Sequence, residues 1–189
     1  MLPDKLGLSP SALLTQVRTT FLVILGRVPA VSSYLANADG LWQAVGASVI
    51  FTILISLYPA MTVTPVLFLI SVLVQLIGVL LLLLLFYSTL RRADAVDKFL
   101  PFAVPFLWIE NIQQLLGGLV QNIVVLTGDQ SILILIMPTA IWTIYWLWRV
   151  GRDIVGKGGL MAAGFVAMSF IIDVALLALL QSRLPAAGG

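Results

Sequence analysis

Two acids stand inside otherwise apolar stretches of this chain, Glu110 and Asp173. Around the first, the run "LWIENIQQLLGGLVQN" adds the amides Asn111, Gln113, Gln114, Gln121 and Asn122 and the glycine pair Gly117 and Gly118. A carboxyl in an apolar medium either exchanges a proton with a polar neighbour or donates a hydrogen bond as the neutral acid. Amides in the same setting hydrogen-bond across helices, and glycines let two backbones approach. The stripe is therefore suited to one of two tasks, a polar pathway or a seam between helices.

On a helical wheel, Glu110, Gln113, Gln114, Gly117, Gly118 and Gln121 share one side, with Asn111 and Asn122 at its edge. Ile112, Leu115, Leu116, Leu119, Val120 and Ile123 fall opposite, where they are expected to meet lipid. Gln75, with Ser71 and Gly78 beside it, is expected at a similar depth to Glu110, and Asp173 toward the other side of the membrane. Gly159, Ala163 and Ala167 recur every fourth position, a spacing that suits close helix packing. These stretches hold no Lys or Arg to neutralise either acid, so each is expected to be protonated, hydrogen-bonded or hydrated.

Other chemistry is scarce. The chain has no Cys and no His, which excludes disulfides and thiolate or imidazole metal sites. It also lacks the usual acid/base of neutral pH. No HExxH, GxSxG, phosphate-loop or GxGxxG pattern occurs. Asp94 and Asp97 are the one pair suited to a metal-assisted phosphotransferase. They have no ligand spacing and are expected to balance Arg91, Arg92 and Lys98. We therefore expect no enzyme, cofactor or metal. The net charge of +2 gives no footprint for nucleic acid.

The elements that must carry these residues follow from composition. The chain is 61% hydrophobic and 10% charged, with a mean hydropathy of +1.12. Soluble domains average about 25% charged residues, so the bilayer is the expected solvent. Five stretches are long enough to span a membrane, at about 20 apolar residues each. They run approximately 41–57, 65–89, 99–126, 131–148 and 159–180. Pro59 is expected to end the first, and Pro138 to interrupt the fourth, whereas Pro101 and Pro105 open the third. Glu110 would then sit roughly 16 Å into its span, near the middle of a core about 30 Å thick.

Basic residues set the orientation. Lys5, Arg18 and Arg27 precede the first span, Arg91, Arg92 and Lys98 follow the second, and Arg149, Arg152 and Lys157 follow the fourth. The loops "PAMTVTP" and "TGDQ" have none. Positive loops face the cytoplasm, so the N-terminus is expected inside and the C-terminus outside. Trp42, Tyr87, Trp146 and Trp148 would lie near the inner interface. The first residues do not read as a signal peptide, because Pro3, Asp4, Gly7 and Pro10 precede the apolar run. "SPSALLTQVRTTFLVILGRVP" has the spacing of an amphipathic helix, with Leu13, Leu14, Val17, Phe21, Ile24 and Leu25 apolar. It is expected in the inner interface, or else packed on the bundle.

The expected fold is thus all-α, a polytopic membrane bundle of five helices preceded by an amphipathic interfacial helix. Residues 1–35 form the cytoplasmic and interfacial segment, 36–182 the transmembrane domain and 183–189 a short tail.

This layout resembles the Yip-domain family of five-span membrane proteins. "LGRVPAVSSYL" followed by "LWQAV" resembles the family's entry into the first span. "FYSTLRRADAVDKFLPFAVPFLW" is similar to its junction between the second and third spans, and "IWTIYWLWRVGRDIVGKGGLMAAGFVA" to its fourth and fifth spans. Family members often carry paired glycines where this chain has Arg91, Arg92 and Ala93. Eukaryotic members associate with small trafficking GTPases and organise membranes, and the short N-terminal segment here resembles bacterial members. The resemblance implies a non-enzymatic protein of a bacterial cytoplasmic membrane, acting in membrane organisation or as a scaffold. Its expected partners are the lipid bilayer and either a second copy or another membrane protein. The alternative expectation is a small proton-coupled transporter or channel subunit using Glu110 and Asp173, its substrate unspecified.

Overall fold

A computed structural model describes residues 8–60 and 65–183, and all its regular elements are helices. They are α1 (Pro10–Ile24), α2 (Ala30–Ser33), α3 (Ala38–Ala60), α4 (Pro65–Arg92), α5 (Phe99–Thr127), α6 (Ile136–Val155) and α7 (Gly159–Arg183). Short 3-10 turns precede α5 (Val96–Lys98) and α6 (Gln130–Leu135). The expected tail falls almost wholly outside the described residues, as do 1–7 and the middle of "PAMTVTP".

Among the described residues, four helices are long and apolar enough to cross a membrane: Ala38–Ser56, Phe68–Arg92, Gln130–Val155 and Gly159–Leu176. The outward faces agree with a lipid solvent, since Leu54, Leu69, Leu73, Leu84, Ile141, Phe170 and Ile171 are all exposed. α5 is 29 residues long but is not one of the four. The acid and amides of its middle lower its mean hydropathy.

Yet α5 is the centre of the bundle. Its first half is enclosed on every side, with Phe102 through Ile109, Asn111 and Ile112 all buried. Packing pairs give the directions of the helices. Asn111 meets Ala44 and Asn122 meets Ile55, so α3 and α5 run parallel. Phe102 meets Phe165 and Glu110 meets Ser169, so α7 runs parallel to them. α4 opposes α7, since Phe86 meets Phe165 while Gly78 meets Leu176. A short turn reverses α6 into α7, closed at Gly156, whose φ of +68° suits a residue without Cβ. Hence α3, α5 and α7 run one way and α4 and α6 the other. Arg91, Arg92, Lys98, Arg149, Arg152 and Lys157 all gather at one end.

Near that end Phe86, Phe102, Phe106 and Phe165 form a closed aromatic cluster from α4, α5 and α7, with centroids 4.7–5.2 Å apart. Mostly edge-on and tilted contacts of this kind stabilise by about 0.5–1.5 kcal/mol per pair beyond area burial. All four rings are fully buried.

α1 lies across the bundle. Ser9 caps it through the Ala12 N–H, and Pro10 fills the first turn, where no N–H is needed. Thr20 and Val23 are fully buried, while Thr15 and Arg18 face outward. Leu8, just before the cap, touches Gly46 of α3, and at the other end Trp142 Nε1 donates to the Ile24 carbonyl (3.1 Å). Tyr34 donates to Thr20 (3.1 Å) and ties the following turn to α1. Burial pushes the Tyr34 phenol up to about 12, against the lowering effect of its bond to Thr20.

Three expectations need correcting. α3 continues through Pro59 to Ala60 instead of stopping before it. Pro138 does not interrupt a helix: the chain runs as a 3-10 turn to Leu135, and Pro138 sits in the first turn of α6, where its missing N–H costs nothing. Ile112, assigned to the lipid side, is 2% exposed, because the first half of α5 has no free face.

Candidate functional site

The polar stretch of α5 divides into two ranks, each with spacing i, i+3, i+7, i+11. One is Asn111, Gln114, Gly118 and Asn122, and the other is Glu110, Gln113, Gly117 and Gln121.

The first rank is sealed against α3. Asn111 Nδ2 donates to the Ala44 carbonyl (2.9 Å) and Gln114 Nε2 to Thr52 Oγ1 (2.7 Å). Thr52 Oγ1 in turn donates to the Ser48 carbonyl (2.8 Å), and Ser48 Oγ accepts from Gln75 Nε2 of α4 (3.2 Å). One network therefore joins three helices. Asn122 Nδ2 donates to the Ile55 carbonyl (3.0 Å). That carbonyl is free because the residue four places on is Pro59, which has no N–H to offer it. Gly118 makes the approach possible, since any Cβ there would overlap the Ile55 side chain. Proline, glycine and asparagine thus act together: one frees an acceptor, one clears the space and one supplies the donor.

The second rank has no such cover. A Cβ on Gly117 would meet nothing within 4 Å. Gln113 is partly exposed and Gln121 exposed, and neither side chain has a hydrogen-bond partner among the described residues. Only Glu110 is engaged, accepting from the Ser169 hydroxyl of α7. It opens onto a cavity of about 30 Å³ together with Gln75, Gly78, Ser169, Ile172 and Asp173. That volume is about one water's share of the liquid. Asp173, expected nearer the opposite side, lines the same cavity with its side chain on the outer surface.

The remaining candidates scatter. Gly78 lets the end of Leu176 close on α4, whereas Ser71 bonds back to its own helix at Phe68. Gly159 lies beneath the Trp148 ring, and its carbonyl accepts from Trp148 Nε1 (3.0 Å). Ala163 and Ala167 are exposed and form no seam within the chain. The close α6–α7 contact is made by Gly151 and Ala162 instead. Ser48, Thr52 and Ser169 escaped the sequence reading. The signal was there, since Ser48 and Thr52 are four apart in an apolar run, but small hydroxyls satisfy themselves on their own helix and attract little notice. Among the described residues no group of three or more acids could hold a metal ion.

No protein-family model matches the chain, and neither curated proteins nor solved structures give a match.

Proposed function

We propose that the chain is a five-span, Yip-like membrane protein without enzymatic activity, which organises membrane through assembly on the uncovered rank of α5. The observation that carries this is the row Gln113, Gly117 and Gln121, two unpartnered amides flanking an open glycine in mid-helix. Lipid offers such amides no hydrogen bond, so they require water or protein. A second copy fits best. An amide is both donor and acceptor, so the row is complementary to itself across a two-fold axis. Gly117 would allow the close approach.

Several features support the finer membrane reading. α5 runs alongside the four apolar helices and alternates with α4 and α6, as a fifth crossing would. The gathering of basic residues at one end supports a cytoplasmic side there, and with it an N-terminus inside and a C-terminus outside, as expected in a bacterial cytoplasmic membrane. α1 supports an interfacial role. Gly46 lies seven residues beyond Asp39, and Trp142 seven residues before Arg149. Both ends of α1 are therefore about 10 Å below the charged end at 1.5 Å per residue, close to the depth of an in-plane amphipathic helix.

The test is association in liposomes, read by energy transfer between donor- and acceptor-labelled copies. Wild type should associate, Gly117→Leu with Gln121→Leu should lower association at least several-fold, and Ala163→Leu on α7 should leave it intact. A monomeric wild type, or loss through Ala163→Leu alone, would sink the proposal.

The shared cavity of Glu110 and Asp173 favours one second reading, a proton-coupled transporter or channel subunit. Reconstituted wild type would then carry a pH-dependent flux that Glu110→Gln abolishes without unfolding. No flux in wild type, or the same flux in both, removes this reading.

A further inference from the structure

A second cavity, of about 310 Å³, lies at the basic end, where the turn after α1 faces the last turns of α6. Gly26, Arg27, Val31, Trp146, Arg149 and Asp153 are among the residues that line it. Its size is at the lower end of small-molecule sites, and nothing in the α5 stripe involves it.

Among the polar side chains of the lining, donors outnumber acceptors. The Trp146 side chain is 7% exposed, and its indole N–H is buried with no hydrogen-bond partner. An indole N–H can only donate, so Trp146 adds no acceptor that would repel an anion. The Arg27 guanidinium has no hydrogen bond or ion pair among the described residues. Arg149 stacks on the Trp146 ring at 4.7 Å and touches Asp153 at 3.5 Å. Asp153, the one acid in the lining, is also held by Arg152 at 2.8 Å, which blunts its repulsion of an anion. Arg27, Arg149 and Asp153 leave the lining with a net charge of +1 (two cations less one anion).

We propose that this cavity binds the phosphate of an anionic lipid headgroup, with Arg27 and Arg149 as the guanidinium ligands. Guanidinium pairs well with phosphate because its planar fork presents two parallel donors. Lipid is the favoured source of the phosphate because apolar surface adjoins the cavity: Val31 lines it, Leu25 precedes Gly26 and Trp142 lies one helical turn before Trp146, and each is more than half exposed. Acyl chains would run down these residues while the headgroup stays at the level of Arg149. The site stands whether or not α5 mediates assembly.

The experiment uses the full chain in detergent, titrated with short-chain phosphatidylglycerol, short-chain phosphatidylcholine or inorganic phosphate, with affinity read from thermal shift. Wild type should bind phosphatidylglycerol, and Arg27→Gln should weaken it about tenfold or more, as expected for loss of a charge-assisted bond. Arg27 has no hydrogen bond or ion pair to lose among the described residues, so that variant should fold normally. Arg92→Gln, at the same end but outside the cavity, should bind as wild type does. Equal losses in Arg27→Gln and Arg92→Gln would reduce the effect to diffuse charge and overturn the site. Equal binding of phosphatidylcholine, or full binding by inorganic phosphate alone, would overturn the lipid assignment.

Discussion

Gly117 and Gly118 are neighbours with opposite surroundings. Gly118 is pressed against Ile55, and Gly117 faces open space. Gly118→Ala should therefore cost about 1–3 kcal/mol through overpacking, and more if the Asn122 bond to Ile55 is lost with it. Gly117→Ala should be neutral or gain up to about 1 kcal/mol of helix propensity. Reversible unfolding in bicelles measures both, and equal losses at the two positions would contradict the packing described. A wheel drawn from sequence puts both glycines on one polar side, and that much was legible: the side cannot face lipid. The division of that side into a sealed and an open rank was not legible. It depends on where α3 lies, and on Pro59, more than fifty residues away, freeing the carbonyl that Asn122 uses.

Among the elements, the long apolar runs read plainly, because a hydrophobic stretch that satisfies its own backbone in lipid has little choice but helix. α4, α5 and α7 begin at the residues the sequence suggested. The start of α6 did not read so well. "SILIL" is as apolar as a span, and whether its first turns wind as 3-10 or α is decided by the Asp129 cap at Ser131 and by Pro138, not by hydropathy. α5 is the opposite case. It is too polar on average to be picked out as a crossing, yet half of its acid and amide side chains are absorbed by α3, so a mean over its length hides what its faces do separately. α1 shows a similar limit. Its periodicity revealed an inward face but not the surface it would meet, which is the floor made by α3, α5 and α6.

For the whole molecule, the decisive question is whether α5 crosses. The chain has no Cys, so single cysteines can report sidedness directly. Asp129→Cys should react with an impermeant maleimide in intact cells, and Asp94→Cys only after permeabilisation. Reaction of both from the same side would mean that α5 does not cross, and the five-span reading would fail. The alternation of loops with and without Lys or Arg made the relative helix directions legible. The transverse course of α1 had no such mark. Its anchors, Trp142 at one end and Gly46 at the other, come from distant parts of the chain. The bond from Trp142 to Ile24 links residues 118 positions apart. At ribosomal speeds of about 5–20 residues per second, α1 is made on the order of ten seconds before the residue that fastens it. The C-terminal end of the helix made first is thus fastened only after α3, α4 and α5 have all been made.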